Sequence, residues 1–310
     1  MEFKHKPVLL DECIKGLNIK PDGIYVDGTL GGGGHSFHII QKLSENGKLI
    51  GIDRDKEALM AATIKLQDFP NKILYHGNHD DIKRILEELG IDKVDGILLD
   101  LGISSYQIDE AQRGFSYMLD SKLDMRMNRE DKLSAYEVVN KYSEDSLSKI
   151  FSDFGEERYS KRVAAKICEV RITKPIETTL ELAAIIRSCI PYKATQEKGH
   201  PAKRVFQAIR IEVNCELDKL KEAVIDSVNC LNTSGRLAVI TFHSLEDRIV
   251  KHAFEELEGK CNCPSGFPIC ICGYKSYGKN ITKKPIVSDE IELEENTRAR
   301  SAKLRIFEKQ

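Results

Sequence analysis

The chain has 310 residues, 41% hydrophobic and 31% charged, and its 47 Lys and Arg against 49 Asp and Glu give a net charge of −2. The length admits two domains or one domain carrying a large insertion, and the near-neutral total excludes a polybasic coat protein while leaving room for a local nucleic-acid surface. With no run of about 18 apolar residues, no signal-peptide segment in Met1-Glu2-Phe3-Lys4-His5 and nine cysteines in a chain without an export signal, membrane, fibrous and secreted classes are set aside and a cytoplasmic protein with reduced thiols is expected.

Ile24-Tyr25-Val26-Asp27 predicts a first strand, followed by a glycine loop and an amphipathic segment over 36–43. A second strand is predicted at 48–53, a helix over 56–66, a short third strand at 73–75, a helix over 82–89 and a fourth strand at 94–100. Strands alternating with helices predict right-handed crossovers and a mostly parallel, doubly wound α/β sheet covered on both faces. From 113 to 200 no strand pattern is present. Helical patterns at 135–141, 146–154, 161–170 and 180–189 dominate instead, punctuated by Pro175, Pro191 and Pro201. One long helix is predicted from 204 to 231, ending at Asn232-Thr233-Ser234-Gly235. A buried strand at 236–242, a helix over 244–257 and a closing strand at 302–307 follow. The expected organisation is a discontinuous sheet core, 1–112 and 205–310, interrupted by an all-helical domain over 113–204.

The segment Asp27-Gly28-Thr29-Leu30-Gly31-Gly32-Gly33-Gly34-His35-Ser36 lies between the first strand and helix. Four consecutive glycines permit close backbone approach and positive φ, and free N–H groups at a helix N-terminus favour a phosphate or carboxylate. Asp53 ends the second strand, where an acid can accept hydrogen bonds from ribose hydroxyls. A nucleotide-type cofactor is therefore expected. The loop lacks the regular G-x-G-x-x-G, which lowers the NAD reading. Asp27, Asp53 and Asp100 end strands one, two and four around one crevice, and three acids suit a cationic sulfonium better than a pyrophosphate. Each acid could instead simply cap the helix that follows.

These residues resemble the MraW (RsmH) family of bacterial 16S ribosomal RNA cytosine-N4 methyltransferases. The resemblance is carried by the glycine segment, by Gly96-Ile97-Leu98-Leu99-Asp100-Leu101-Gly102-Ile103-Ser104-Ser105, and by Arg113-Gly114-Phe115-Ser116. Leu123-Asp124-Met125-Arg126-Met127, Gly155-Glu156-Glu157-Arg158, Phe242-His243-Ser244-Leu245-Glu246-Asp247-Arg248-Ile249-Val250-Lys251 and Arg298-Ala299-Arg300-Ser301-Ala302-Lys303-Leu304-Arg305 extend it over nearly the whole chain. It implies a class I, Rossmann-like methyltransferase core that uses S-adenosylmethionine, with a helical insertion. Carried over by position, the cofactor contacts fall on Gly33, Gly34, His35, Asp53, Asp100 and Gln107, and one more on His79, where relatives can carry Phe. The implied reaction is methyl transfer to the exocyclic amine of a cytosine in the decoding region, on 16S RNA within the small subunit or an assembly intermediate.

Cytosine N4 is a poor nucleophile because its lone pair is delocalised, so an acceptor beside the amine helps by polarising N–H. Many amino-methyltransferases place Asp/Asn-Pro-Pro-aromatic there, whereas this chain has Asp100-Leu101-Gly102-Ile103. Asp100, or the carbonyls beside it, is the expected acceptor. His243 could take the released proton or stack on the base; in the competing structural reading, Ser244 caps the next helix while Glu246 and Asp247 favour its positive end.

Residues 113–214 hold 19 Lys and Arg against 15 Asp and Glu, a net of +4 that leaves −6 for the remainder of the −2 total. Arg158, Lys161, Arg162, Lys166, Arg171 and Lys174 face only Glu169, and Lys193, Lys198, Lys203, Arg204 and Arg210 oppose Glu197. Such density suits phosphate neutralisation or a solvated helix face. Phe115, Tyr117 and Phe206 could stack on an extruded base or pack in the core. Cys261, Cys263, Cys270 and Cys272 form C-x-C-x6-C-x-C, able to hold zinc, but extended C-x-C sends its sulfurs to opposite faces, so no metal is assigned. The competing functions are an amine methyltransferase acting on protein or DNA, a non-catalytic assembly factor that kept the cofactor fold, and, more distantly, an NAD-linked oxidoreductase.

Overall fold

The computed structural model describes residues 7–191, 200–259 and 275–310. It divides into two compact units, one formed by Met1–Gly102 and Leu217–Gln310, the other by Ile103–Glu216. In the first, β1 (Ile24–Asp27), β2 (Lys48–Asp53), β3 (Lys72–His76), β4 (Val94–Asp100), β5 (Leu231–Thr241), β6 (Gly278–Asn280) and β7 (Lys303–Lys309) form one sheet in the order β3-β2-β1-β4-β5-β7-β6. The first five positions are parallel, and β7 and β6 close the edge antiparallel. β6 is too short and polar to carry a strand pattern.

Strand alternation builds two cores. Val26, Ile50, Ile52, Ile97, Leu99, Leu237, Val239 and Phe307 face one cluster, and Tyr25, Leu49, Leu98, Ala238, Ile240, Leu304 and Ile306 face the other. Near-continuous apolar runs in β2 and β4 are what a sheet buried on both faces requires.

Three expectations change. The helix expected over 204–231 is two, Lys203–Asn214 and Leu220–Asn229, because Cys215 turns left-handed at φ 50° between them. No Gly or Pro marks that break, which coincides with the unit boundary. β5 starts five residues early. Its pairing steps from Val94↔Leu231 to Gly96↔Arg236, so Asn232-Thr233-Ser234-Gly235 is a bulge within the strand. The helical unit runs from 103 to 216 because the Lys203–Asn214 helix contributes Val205, Phe206, Ile209 and Val213 to its core. Among the described residues no helix is long and apolar enough to cross a membrane.

Candidate active site

The carboxyl ends of the parallel strands carry the site. Asp27, at the end of β1, is 1% exposed, and its carboxylate accepts from Ser36 Oγ (2.7 Å) and the Thr29 N–H (3.2 Å). Both oxygens are thus committed to the loop that follows. Burial raises this carboxyl to about 6. Asp27 holds the loop in place and does not face the crevice.

The glycine loop is tied down by its own N–H groups. Leu30 N donates to Ile52 O, Gly33 N to Leu30 O, and Gly31 N to Asp53 Oδ2 at 2.7 Å. These bonds engage the amides of Leu30, Gly31 and Gly33, while the N–H groups of Gly32, Gly34 and His35 at the helix start have no partner among the described residues. Gly31 and Gly33 have φ of 50° and 75°, a region that penalises a Cβ. A Cβ on Gly34 would stand 2.8 Å from Pro7 Cγ, and one on Gly28 2.5 Å from Leu99 Cδ2 and 3.2 Å from His79 Cβ. The glycines serve close approach, and His79 stands against the end of β1.

Asp53 accepts backbone N–H from Asp55 at Oδ1 (2.8 Å) and from Gly31 at Oδ2, yet stays partly exposed at the end of β2. Burial raises it to about 6. Asp100, at the end of β4, donates its backbone N–H to Thr29 Oγ1, and its Oδ2 lies 3.7 Å from His35 Nδ1. His35 is 6% exposed and donates from Nε2 to Val8 O at 3.0 Å, while burial lowers it to about 4, so it is a neutral ring with its lone pair on Nδ1. Burial first, then the charges of Asp27 and Glu246, raise Asp100 to about 8.

After β5, His243 is itself the N-cap of the Ser244–Glu258 helix, displacing Ser244 from the expected role. Its Nδ1 accepts the Glu246 N–H at 3.4 Å, while Glu246 Oε2 accepts the N–H groups of Phe242 (2.8 Å) and His243 (3.3 Å). His243 Nε2 lies 3.1 Å from Glu246 Oε1 without an aligned hydrogen bond. With Nδ1 on the helix backbone, the ring presents an N–H, which favours orienting a carbonyl over accepting a proton.

Three buried side-chain atoms lack a hydrogen-bond partner among the described residues: Asn78 Oδ1, Asp100 Oδ1 and His243 Nε2. They follow or end β3, β4 and β5, all at one sheet edge. A buried polar atom left unpaired costs about 1–3 kcal/mol, and three together at the strand ends where α/β sheets bind ligands mark a site completed by a bound molecule. Asn78 was not singled out by sequence, since nothing local to it signals an unpaired amide. Two acceptors and the partly exposed Asp53 fit a ligand bearing positive charge and hydroxyl or amine donors, as S-adenosylmethionine does.

Gln107 belongs to the helical unit. It is 5% exposed, and its Oε1 accepts the Ser104 N–H (3.1 Å) while its own N–H donates to Ser104 Oγ (3.2 Å), a capping box at the start of the Ser105–Asp109 helix. Phe115 and Phe206 are core residues at 7% and 3% exposure, whereas Tyr117 is half-buried. The basic runs are thinner than their composition. Lys166 pairs with Glu169, Lys174 with Glu181 and Arg210 with Glu216, each within 2.9 Å. Arg171 turns inward to the carbonyls of Val139 and Tyr142, and Arg204 donates to Glu156 O. Lys193, Glu197, Lys198 and the cysteines Cys261, Cys263, Cys270 and Cys272 lie outside the described residues.

The model of the MraW methylase family matches residues 2–310. A ribosomal RNA small subunit methyltransferase H from Clostridium botulinum (strain Kyoto / Type A2) is 62% identical over 309 residues, covering 100% of both chains. One from Lachnospira eligens is 55% identical over 310 residues, covering 100% of this chain and 98% of its own. A solved putative rRNA-methylase from Clostridium thermocellum is a remote likeness, with TM-score 0.44 and 12% identity over 100% of this chain and 98% of its own. On the full-length match the chain belongs to the MraW methylase family.

Proposed function

We propose that this protein transfers a methyl group from S-adenosylmethionine to the N4 amine of a cytosine in the decoding region of 16S ribosomal RNA, in the cytoplasm, on the small subunit or an assembly intermediate. The observation that carries the reading is the trio of unpaired buried atoms at the ends of β3, β4 and β5, in a chain whose full-length relatives are named small-subunit rRNA methyltransferases.

In this reading Asp53 takes the ribose hydroxyls, His79 and Asn78 border the adenine, and Gly33, Gly34 and His35 shape the wall behind the methionine portion. The bound donor supplies an electrophilic methyl group on a sulfonium. Asp100, largely protonated in the free protein, ionises when a cation sits beside it. It then accepts a hydrogen bond from the cytosine amine and localises the nitrogen lone pair as the N–C bond forms. As the N–C bond forms, the donor's S–CH3 bond would break to leave a neutral thioether, and the amine proton would pass to the Asp100 carboxylate that already accepts its hydrogen bond. His243, through its Nε2–H, orients a carbonyl of the base.

The test is label transfer from methyl-labelled donor to naked 16S RNA, assembled small subunits, total protein and DNA, with mass mapping of the modified nucleotide. One N4-methylated cytosine in 16S RNA is expected. Label in protein or DNA instead, or donor binding without turnover on any RNA state, would overturn the assignment. With substrate saturating, Asp100→Asn should slow single turnover roughly 100-fold or more.

A further inference from the structure

In the helical unit, three rings climb from core to surface. Phe206 is buried at 3% exposure and meets Tyr117 edge-on, centroids 5.7 Å apart and planes at 86°. Tyr117 in turn stacks face to face on His200, at 4.6 Å and 11°. Tyr117 and His200 are both half-buried, so the stack ends in a partly exposed imidazole. His200 Nδ1 accepts the Ala202 N–H at 3.2 Å, which puts the ring proton on Nε2 as a donor. Burial, and then the nearby Arg187 charge, hold this imidazole below its usual pKa, so the ring is neutral.

The surroundings are cationic. Arg187 lies close enough to act on His200, and Lys203 opens the helix that begins three residues on, its N–H donating to His200 O. Arg162 acts on Cys189, at the end of the same helix that carries Arg187. Arg162, Arg187 and Lys203 are exposed, and none has a carboxylate partner among the described residues. This contrasts with Lys166, Lys174 and Arg210, which are paired. A neutral aromatic step with the unpaired Arg187 beside it, and the unpaired Arg162 and Lys203 on neighbouring helices, matches a nucleobase flanked by phosphates. An acidic peptide would use the cations and leave the rings idle.

We propose that His200, backed by Tyr117, is a stacking platform for an unpaired base of the RNA substrate, with Arg162, Arg187 and Lys203 holding the adjacent phosphates. The inference rests on the proposed RNA substrate and adds the residues that grip it. It explains why Tyr117 is kept out of the core while Phe115 and Phe206 are in it.

The experiment is filter binding of small-subunit rRNA to the full chain, alongside calorimetric titration with S-adenosylmethionine. His200→Ala should weaken RNA binding about tenfold, within the range of one lost base–aromatic stack. His200→Phe, which keeps a stacking face, should stay within about twofold of the parent. Arg187→Gln should reduce the salt slope of binding by about 0.7, as for one single-strand phosphate contact. Donor affinity should not change in any of the three. Unchanged RNA binding in His200→Ala, or equal losses in the Ala and Phe variants, would overturn the platform. If the parent bound donor but no rRNA, the RNA reading itself would fall, a result distinct from parent binding that His200→Ala leaves untouched.

Discussion

Burial lifts the Asp100 carboxyl to about 8, and Asp27 and Asp53 each rise to about 6. All three bind protons more tightly in the folded chain than the usual value of 3.8 allows when unfolded, so their contribution to stability falls as pH rises from about 4 through 8. A cation beside Asp100 favours the charged form, so binding must release a proton, and donor affinity should rise from pH 6 to pH 8. Calorimetry in buffers of different ionisation enthalpy reads that proton; an affinity flat over this range, with no proton released, would contradict it. Asp100→Asn cannot ionise. It should melt higher than the parent above pH 8 while binding donor more weakly. His243→Gln should leave the shape of the pH–rate profile unchanged, because the imidazole offers N–H and its lone pair is engaged by the Glu246 amide. A lost acidic limb in that variant would restore His243 as the proton acceptor.

At the scale of elements, β4 and the glycine loop decide where the site forms. Leu98 and Leu99 are fully buried on opposite faces of the sheet, and Leu98→Ala should cost about 2–5 kcal/mol in denaturant unfolding, as for other large-to-small core changes. Gly33→Ala should cost about 1–2 kcal/mol from its left-handed φ alone, with Ala62 Cβ a further 3.3 Å neighbour of the added carbon. A loss of less than about 0.5 kcal/mol would mean that the loop relaxes freely. The sheet and its acids were legible in sequence because β1, β2 and β4 are each an apolar run ending in a carboxylate, as in Ile24-Tyr25-Val26-Asp27. The function of the glycines was legible only in part. Their need for positive φ can be read from composition, but that Gly31 donates to Asp53 depends on the β1–β2 pairing. Cys215 was illegible as a helix break, since its left-handed backbone carries no local signal. His200 was missed for a similar reason: its partner Tyr117 is remote in sequence.

For the molecule as a whole, the division of charge read from segment totals survives in altered form. Lys161, Arg162, Arg187 and Lys203 are among the helical unit's exposed cations that have no carboxylate partner among the described residues. If these four meet phosphates of single-stranded RNA, log affinity should fall against log salt with a slope of about −3. A slope near zero would show that the unit does not neutralise phosphates.

The β4–β5 pairing also fixes an order of events. β4 hydrogen-bonds to β1 on one side and to β5 on the other, yet all of Ile103–Glu216 separates β4 from β5 in the chain. During synthesis β4 is therefore an open, apolar edge for on the order of ten seconds at ordinary elongation rates. Over that interval the nascent sheet is a template for mispairing, while the helical unit, with a core of its own, can already close. The site at the ends of β3, β4 and β5 is consequently among the last features to form, and a nascent chain halted before β5 should be held by chaperones rather than bind the methyl donor.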